Sequence, residues 1–204
     1  MIARRTAFAF LAIAAMAPAA LAASPPPLSA QDSATVAKAV AYLQGLTSAK
    51  GRFVQTDQRG GQATGVLYLE RPGKARFEYD PPTTLLITSD GRTVSVANSR
   101  LKTLQHYPLS ATPLGLFLAK EIRLDRGARV TAVTPRPGGF SITAVDVRGV
   151  GQGQIALNFG AEPLRLTGWT ITDAQRRVTQ VELQGLEPTG DLPASLFVQG
   201  SSPE

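Results

Sequence analysis

The chain of 204 residues contains no cysteine and a single histidine, His106. The missing cysteines exclude disulfide bonds, thiol nucleophiles, cysteine metal ligands and lipidation at a cysteine after a leader peptide. One histidine excludes every site within one chain that needs two imidazoles. We therefore expect no metal, no cofactor and no catalytic residues, and we interpret the chain as a protein other than an enzyme.

Long apolar runs are also rare, and the one near the N terminus has a specific interpretation. Arg4-Arg5 precedes an apolar stretch over residues 7–17, and Ala20-Leu21-Ala22 forms a small-x-small cleavage site. This pattern is typical of a secretory signal peptide, and the stretch is too short and too alanine-rich to span a membrane. We predict a cleaved signal peptide over residues 1–22, exported by the ordinary or the twin-arginine route.

Acidic residues are fewer than basic ones, which gives a formal net charge of +6. Loss of the two charges of Arg4-Arg5 with the signal peptide would lower it to +4. The cations are scattered, with no run longer than Arg176-Arg177, and they are not interleaved with aromatic residues that could stack on bases. We expect a solvated cationic surface, no nucleic-acid partner and a monomer. Steering toward anionic lipid head groups is an alternative use of this charge.

The remaining chain is predicted to form one domain over residues 33–199, between an extended leader at 23–32 and a tail at 200–204. Residues 33–47 carry apolar side chains at helical spacing, with Asp32 or Ser33 as the cap. A second helix is predicted to begin at Thr112 and to continue to Ile122. It is apolar almost all round, so it must be buried on more than one side.

From Arg52 onward the apolar period is two, which is typical of strands. The predicted strands cover 52–57, 64–71, 75–79, 84–89, 93–97, 101–106, 129–134, 140–147, 153–159, 164–172, 177–184 and 195–199. Such a meander must curl to bury one face. We therefore predict a mainly β fold with α: an open, incomplete antiparallel β-barrel of about eleven strands, covered by a lid of helices. A closed eight-stranded barrel is the nearest alternative.

Several short motifs occur in a characteristic order along this meander. They are Phe53-Val54-Gln55, Gly65-Val66-Leu67, Arg71-Pro72, Phe77-Glu78-Tyr79, Ser89-Asp90-Gly91 and Thr112-Pro113-Leu114. In their order and spacing, over roughly residues 33–199, they resemble the periplasmic outer-membrane lipoprotein carrier (LolA) family. The resemblance implies an open barrel lidded by helices.

The function that the resemblance implies is that of a soluble periplasmic chaperone. It would carry lipoproteins from the inner to the outer membrane and shield their acyl chains in a hydrophobic cavity. Its partners would be an inner-membrane ABC-type extractor and an outer-membrane lipoprotein acceptor. Aliphatic residues at Val94-Ser95-Val96-Ala97, where carriers often have aromatic ones, keep open a carrier or sensor of another lipid, such as a glycolipid, hopanoid or polyene. An enzyme on a lidded barrel is a further alternative.

The resemblance also implies roles for individual residues. In the family, the arginine that matches Arg71 hydrogen-bonds to the backbone of the lid and holds it shut; otherwise Arg71 is a surface residue at a strand end. The cavity-lining candidates are Leu67, Leu69, Phe77, Tyr79, Leu86, Val94, Val96, Leu116, Phe117, Trp169 and Ile171. A tightly packed lid would make them solid core and a loose one would make them a lipid cavity, and the sequence leaves both open.

Overall fold

The structure is a computed structural model that describes residues 27–112, 114–122, 128–146 and 153–198. The predicted signal peptide and the tail at 200–204 lie outside these ranges. The elements are α1 (Ala30–Gly45), β1 (Ser48–Thr56), β2 (Gln62–Glu70), β3 (Lys74–Tyr79), β4 (Leu85–Asp90), β5 (Thr93–Asn98), β6 (Thr103–Pro108), α2 (Leu114–Leu118), β7 (Ala128–Arg136), β8 (Gly139–Asp146), β9 (Gly153–Ala161), β10 (Leu164–Asp173) and β11 (Val178–Pro188). Short 3₁₀ helices cover Leu109–Ala111 and Ala194–Phe197.

All eleven strands form one antiparallel sheet in the order β6-β5-β4-β3-β2-β1-β11-β10-β9-β8-β7. Consecutive strands pair as hairpins except β6 and β7, and β11 returns to pair with β1. The edges of this open sheet are β6 and β7. The predicted mainly β fold with a single antiparallel sheet is confirmed, and so is the number of strands.

The sheet is strongly curled, as two aromatic rings demonstrate. Phe77 on β3 and Trp169 on β10 are four strand spacings apart, which is about 19 Å in a flat sheet. Their ring centroids are nevertheless 6.0 Å apart in an edge-to-face arrangement. The strands therefore bend around a shared interior, and alternate residues point into it. In β2, for example, Gly65, Leu67 and Leu69 are buried while their neighbours are not.

Helix α1 begins three residues earlier than predicted. Ser29 is its N-cap, because the Ser29 hydroxyl oxygen accepts the Asp32 backbone N–H at 3.0 Å and the hydroxyl donates to the Asp32 carboxylate at 2.7 Å. Ala39 and Leu43 form its buried stripe. Among the described helices, none has both the length and the apolar character that crossing a bilayer requires.

The second predicted helix is shorter than expected. Helix α2 ends at Leu118, and the backbone N–H of Gly73 donates to the Leu118 carbonyl at 2.8 Å. The Thr112 hydroxyl donates to the carbonyl of Leu109, so Thr112 closes the preceding 3₁₀ helix. The prediction of one continuous helix to Ile122 was wrong in extent.

The predicted strand at 195–199 was wrong over its described part. Residues Ala194–Phe197 form a 3₁₀ helix that begins after Pro193, whose ring fixes its φ and removes a strand donor. Leu196 and Phe197 are buried against the outer face of β3 and β4. Arg76 secures this segment by donating to the Leu196 carbonyl at 3.2 Å.

Candidate functional site

The turn between β2 and β3 fastens the two helical segments to the sheet. The backbone N–H of Arg71 donates to the Thr47 carbonyl at 2.7 Å, directly after α1. Two residues later, the N–H of Gly73 donates to Leu118 at the end of α2. Gly73 has φ +82°, and a Cβ there would lie 2.6 Å from the Gly91 Cα, so only glycine fits.

The Arg71 side chain joins the same two segments. Its Nη1 donates to the Leu43 carbonyl in α1, and its Nη2 donates to the Ala119 carbonyl just after α2. A guanidinium is suited to this role because it presents several donors in a rigid fork. Arg71 therefore binds one carbonyl from each segment that covers the sheet, which is the position a latch requires.

The environment of this guanidinium is partly desolvated. Burial lowers the pKa of Arg71 from its usual value. Its Nε is buried and has no hydrogen-bond partner within the described part of the chain. A cation held in this way by carbonyls depends on both acceptors staying in place, since moving either one leaves more of the charge uncompensated.

Helices α1 and α2 together form the cover of the sheet. An apolar cavity lies under this cover, between the two helices and strands β8 and β9. Its lining consists of Ala39, Val40, Leu43, Phe117, Ile122, Ile142, Ala144, Ile155, Leu157 and Phe159. Its volume is about 20 Å³. A single water molecule needs about 10–15 Å³, whereas ligand sites typically have about 300–1,000 Å³. The structure is therefore a closed form, in which the interior would have to open before it could hold an acyl chain.

Most predicted cavity residues lie in the packed interior beside this cavity. Leu67, Leu69, Phe77, Tyr79, Val94 and Trp169 are buried in the core, and Val96 and Ile171 pack half-buried against it. Among the candidates whose side chains the structure describes, Phe117 alone lines the cavity itself.

Leu86 and Leu116 are the two remaining candidates. Leu86 pairs with Glu78 on the outer face of the sheet, and it borders a surface groove of about 490 Å³ together with Arg76. Its assignment to the interior was wrong, because the strand β4 runs one residue out of the predicted phase: Ile87, opposite Phe77, points inward. Leu116 belongs to α2, but its side chain lies outside the described residues.

The β8–β9 wall of the cavity consists of residues that were not among the predicted lining residues. Ile142 and Ala144 alternate with more exposed residues on β8, and Ile155, Leu157 and Phe159 do the same on β9. That period-two pattern is the signal that could have identified them. The helix stripe of Val40 and Leu43 was recognised as amphipathic and proves to form the roof.

The groups that could support chemistry are dispersed. His106 lies exposed on the edge strand β6, where its Nδ1 is 2.9 Å from the Ser95 hydroxyl. Across the described ranges, no three side chains of the types that bind metals are grouped together. Asp80 and Asp90 lie at turns, and hydrogen bonds lower the pKa of both carboxyl groups, chiefly from the Thr64 hydroxyl to Asp80 and from the Thr93 N–H to Asp90.

The fold is a curled antiparallel sheet whose apolar inner face is covered by helical segments. One turn of the sheet holds these segments in place. This arrangement defines a class of proteins with a lidded apolar interior. The family model of the outer membrane lipoprotein carrier protein LolA matches residues 44–199. The chain belongs to this family. The resemblance seen in the motifs is thereby confirmed, and the family is described as one of carriers.

One relative with a similar sequence agrees with this assignment. The chain is 28% identical over 185 residues to an outer-membrane lipoprotein carrier protein of Chromohalobacter salexigens, covering 84% of this chain and 85% of the relative. Among solved structures, a DUF1329 family protein from Desulfovibrio piger superposes with a TM-score of 0.52 at 10% identity, over 83% of this chain and 97% of that one. That likeness shows a shared fold. A LolA superfamily protein from Nitrosomonas europaea gives a TM-score of 0.45 at 10% identity, over 80% and 97%.

Proposed function

We propose that this protein is a periplasmic chaperone that carries lipoproteins from the inner to the outer membrane. It shields their acyl chains between the sheet and its helical cover. Family membership supports the general role of carrier, and the relative from Chromohalobacter salexigens is named as an outer-membrane lipoprotein carrier. The observation that carries the proposal is the bridge from Arg71 to one carbonyl on each covering segment, above an apolar cavity.

In this proposal Arg71 couples cargo to opening. The cavity of about 20 Å³ cannot admit an acyl chain unless α1 and α2 move away from the β8–β9 wall. Such a movement would separate Leu43 from Ala119 and break the bonds to Arg71. Hydrogen bonds to a charged donor contribute about 1.5–3 kcal/mol each, so their recovery on closing would favour release of the cargo.

The energies are compatible with a reversible carrier. Burial of about ten methylenes at roughly 0.8 kcal/mol each gives ~8 kcal/mol, which corresponds to a micromolar affinity. Breaking the two Arg71 bonds would subtract about 3–6 kcal/mol from this value, so micromolar retention requires the burial of further methylenes, and the handover stays reversible. Much tighter binding would stall delivery.

Loading and unloading would each require a membrane partner. An inner-membrane ABC-type extractor would load the protein, and an outer-membrane acceptor would unload it. The energy for loading would come from the extractor, so the chain itself needs no nucleotide, metal or catalytic residue. The signal peptide predicted at 1–22 would deliver the chain to the periplasm.

Substitution of Arg71→Leu tests the latch. The variant is expected to fold and to bind lipoprotein, but to retain it, because the closed empty state loses two bonds that the loaded open state never had. Transfer to outer membranes should fall tenfold or more, because a hydrogen bond to a charged group contributes at least about 1.5 kcal/mol. Transfer can be measured as lipoprotein released from the purified complex to outer-membrane vesicles carrying the acceptor.

The matched control is Arg59→Leu, which removes an exposed arginine at the β1–β2 turn, away from the cover. It should transfer normally. Normal transfer by Arg71→Leu would refute the latch. Mass spectrometry of material that co-purifies from the periplasm tests the cargo: a glycolipid, hopanoid or polyene in place of acylated protein would favour the alternative carrier.

A further inference from the structure

Exposed apolar side chains are concentrated on one hairpin at the edge of the sheet. Leu101 is 63% exposed, Leu104 49% and Tyr107 44%, and all three lie in the turn between β5 and β6 or on β6 itself. Edge strands are usually protected by charge or by short length, because an exposed apolar edge invites association. A cluster of this kind therefore indicates a contact surface.

Along the chain, the charged residues around this hairpin have one sign, and the carboxylate of Glu78, which borders the same groove as Lys102, is paired with Arg76. From Gly91 to Lys120 the chain contains four lysines or arginines and no aspartate or glutamate. Two of the cations, Arg100 and Lys102, directly flank Leu101, and all three residues are exposed. An apolar side chain between two cations matches the surface of an anionic bilayer, where the apolar group enters the interface and the cations meet phosphate groups.

The other turns of the sheet differ in this respect. Five turns elsewhere in the described ranges carry acidic residues, at Asp57, Asp80, Asp90, Glu162 and Asp173, and the β2–β3 and β7–β8 turns, which carry none, contain no exposed large apolar side chain. An anionic surface would repel such turns unless the carboxylate were already neutralised. Asp80, in the turn beside the β5–β6 hairpin, is paired with the guanidinium of Arg52. Among the described turns, Leu101 is thus an exposed apolar residue with an exposed cation on each side and no acidic residue in the same turn.

The hairpin tip is also held in a defined shape. The Leu101 backbone N–H donates to the Asn98 side-chain oxygen at 3.0 Å, and the Thr84 hydroxyl donates to the same oxygen at 2.9 Å. The Ser99 N–H donates to the Thr84 carbonyl at 3.1 Å. Leu101 is therefore presented by a braced turn, and docking would cost little ordering entropy.

We propose that the β5–β6 hairpin, residues 98–108, docks the protein on anionic phospholipid bilayers, with Leu101 in the interface and Arg100 and Lys102 at the head groups. This inference goes beyond the carrier function, because docking does not depend on which lipid fills the interior. It gives the protein a membrane contact of its own, on the sheet edge rather than at the cover.

Co-sedimentation with vesicles tests the proposal on the mature full-length protein. The wild type should bind vesicles of phosphatidylethanolamine doped with phosphatidylglycerol more tightly than vesicles of phosphatidylcholine, and added salt should weaken that binding. The double variant Arg100→Gln with Lys102→Asn should lose roughly thirtyfold in affinity, because each cation contributes about fivefold at an anionic surface. Asparagine is chosen at position 102 because Lys102 has φ +52°.

The matched control is the double variant Arg59→Gln with Arg165→Gln. It removes the same charge from exposed positions on other hairpins. It should retain most of the affinity. Equal losses in both double variants would overturn the proposal in favour of a general charge effect. Absence of any preference of the wild type for anionic vesicles would also overturn it, and would point to a protein partner at this edge.

A second measurement reports insertion directly. The chain has one tryptophan, Trp169, which is 2% exposed, so a Leu101→Trp variant adds a distinguishable surface reporter. Brominated phosphatidylglycerol in the vesicles should quench the new fluorescence and leave wild-type fluorescence almost unchanged. Vesicle binding without quenching at position 101 would contradict insertion of this tip.

Discussion

The interior of the molecule has two regions that are packed differently. One is the aromatic cluster of Phe53, Phe77, Tyr79 and Trp169, in which ring centroids are 5.1–6.0 Å apart and edge-to-face. The other is the cavity wall on β8 and β9, which consists of Ile142, Ala144, Ile155, Leu157 and Phe159. Most of this wall is aliphatic and borders the void, and its one ring, Phe159, also packs against Tyr42 and Phe140.

This difference indicates where the molecule can change shape. Edge-to-face rings prefer a narrow range of geometries, so the aromatic cluster fixes the curl of the sheet. Aliphatic side chains beside a void lose few contacts when the cover lifts, so the cavity wall is the region that can open at least cost. Arg71 lies between the two regions. It follows β2, which pairs with the strands that carry Phe53 and Phe77, and it binds α1, which forms the roof of the cavity.

Truncation of one phenylalanine in each region should give the largest contrast. Phe53→Ala is expected to cost about 3–5 kcal/mol, because Phe53 is fully buried between two other rings. Phe159→Ala should cost at least about 1 kcal/mol less, because Phe159 borders the cavity on one side, while its other contacts include the rings of Tyr42 and Phe140. Urea denaturation of both variants measures the free energies of unfolding.

The comparison holds only if both variants unfold as the wild type does. Unchanged m-values are the control for that condition, since a changed slope would mean an altered denatured or native state. Equal destabilisation of the two variants would contradict the division into a rigid and an adaptable region.

A high-pH experiment sharpens the contrast from the side of the aromatic cluster. Burial raises the pKa of Tyr79 to about 12, against a smaller opposing effect of its 2.7 Å hydrogen bond to Gln55. Above pH 10 the unfolded chain ionises this phenol while the folded chain keeps it neutral, so stability falls between pH 10 and about 12. The expected loss is about 2–3 kcal/mol from this one group.

Tyr79→Phe isolates the contribution of that phenol. Other groups titrate in the same range, but they titrate in both proteins, so the difference between the two stability curves reports Tyr79. The variant should start less stable near neutral pH, because it leaves the Gln55 oxygen without this partner, and should then lose less on going to alkaline pH. Parallel curves would show that Tyr79 is not protected from solvent.

Much of the fold was predictable because its signals are local. The period of two and the turn residues predicted all eleven described strands in nearly correct places. The Gly65-Val66-Leu67 motif has a direct structural cause. A Cβ on Gly65 would lie 2.7 Å from the ring of Phe53, so glycine is needed where that ring crosses the neighbouring strand. The final segment failed because the apolar pair Leu196 and Phe197 reads as a strand, whereas Pro193 and burial against the outer face favour a 3₁₀ turn.

The placement of Arg71 against α1 and the residue after α2 was predictable, and the position of the cavity was much less so. Position 71 follows from a motif, and the structure places its side chain on the backbone of both covering segments. The cavity depends on which strands α1 crosses, and that is a property of the curled sheet that no local pattern contains. Leu67 and Ile155 have the same alternation, yet the first is in the packed core and the second lines the void.

The smallest expected effect comes from enlarging one alanine in each region. Ala75 and Ala144 are both buried inner-face strand residues, 2% and 3% exposed, so they make a matched pair. Ala75→Val should destabilise by about 1–3 kcal/mol, because the closely packed side of the interior has no room for two more methyl groups. Ala144→Val should cost less than about 1 kcal/mol, because the added atoms enter the cavity. Thermal unfolding ranks the two variants, and a larger loss at position 144 would mean that the cavity wall is as rigid as the aromatic cluster. If Ala144→Val is stable but takes up less lipoprotein, the same substitution links that small void to the space in which cargo is held.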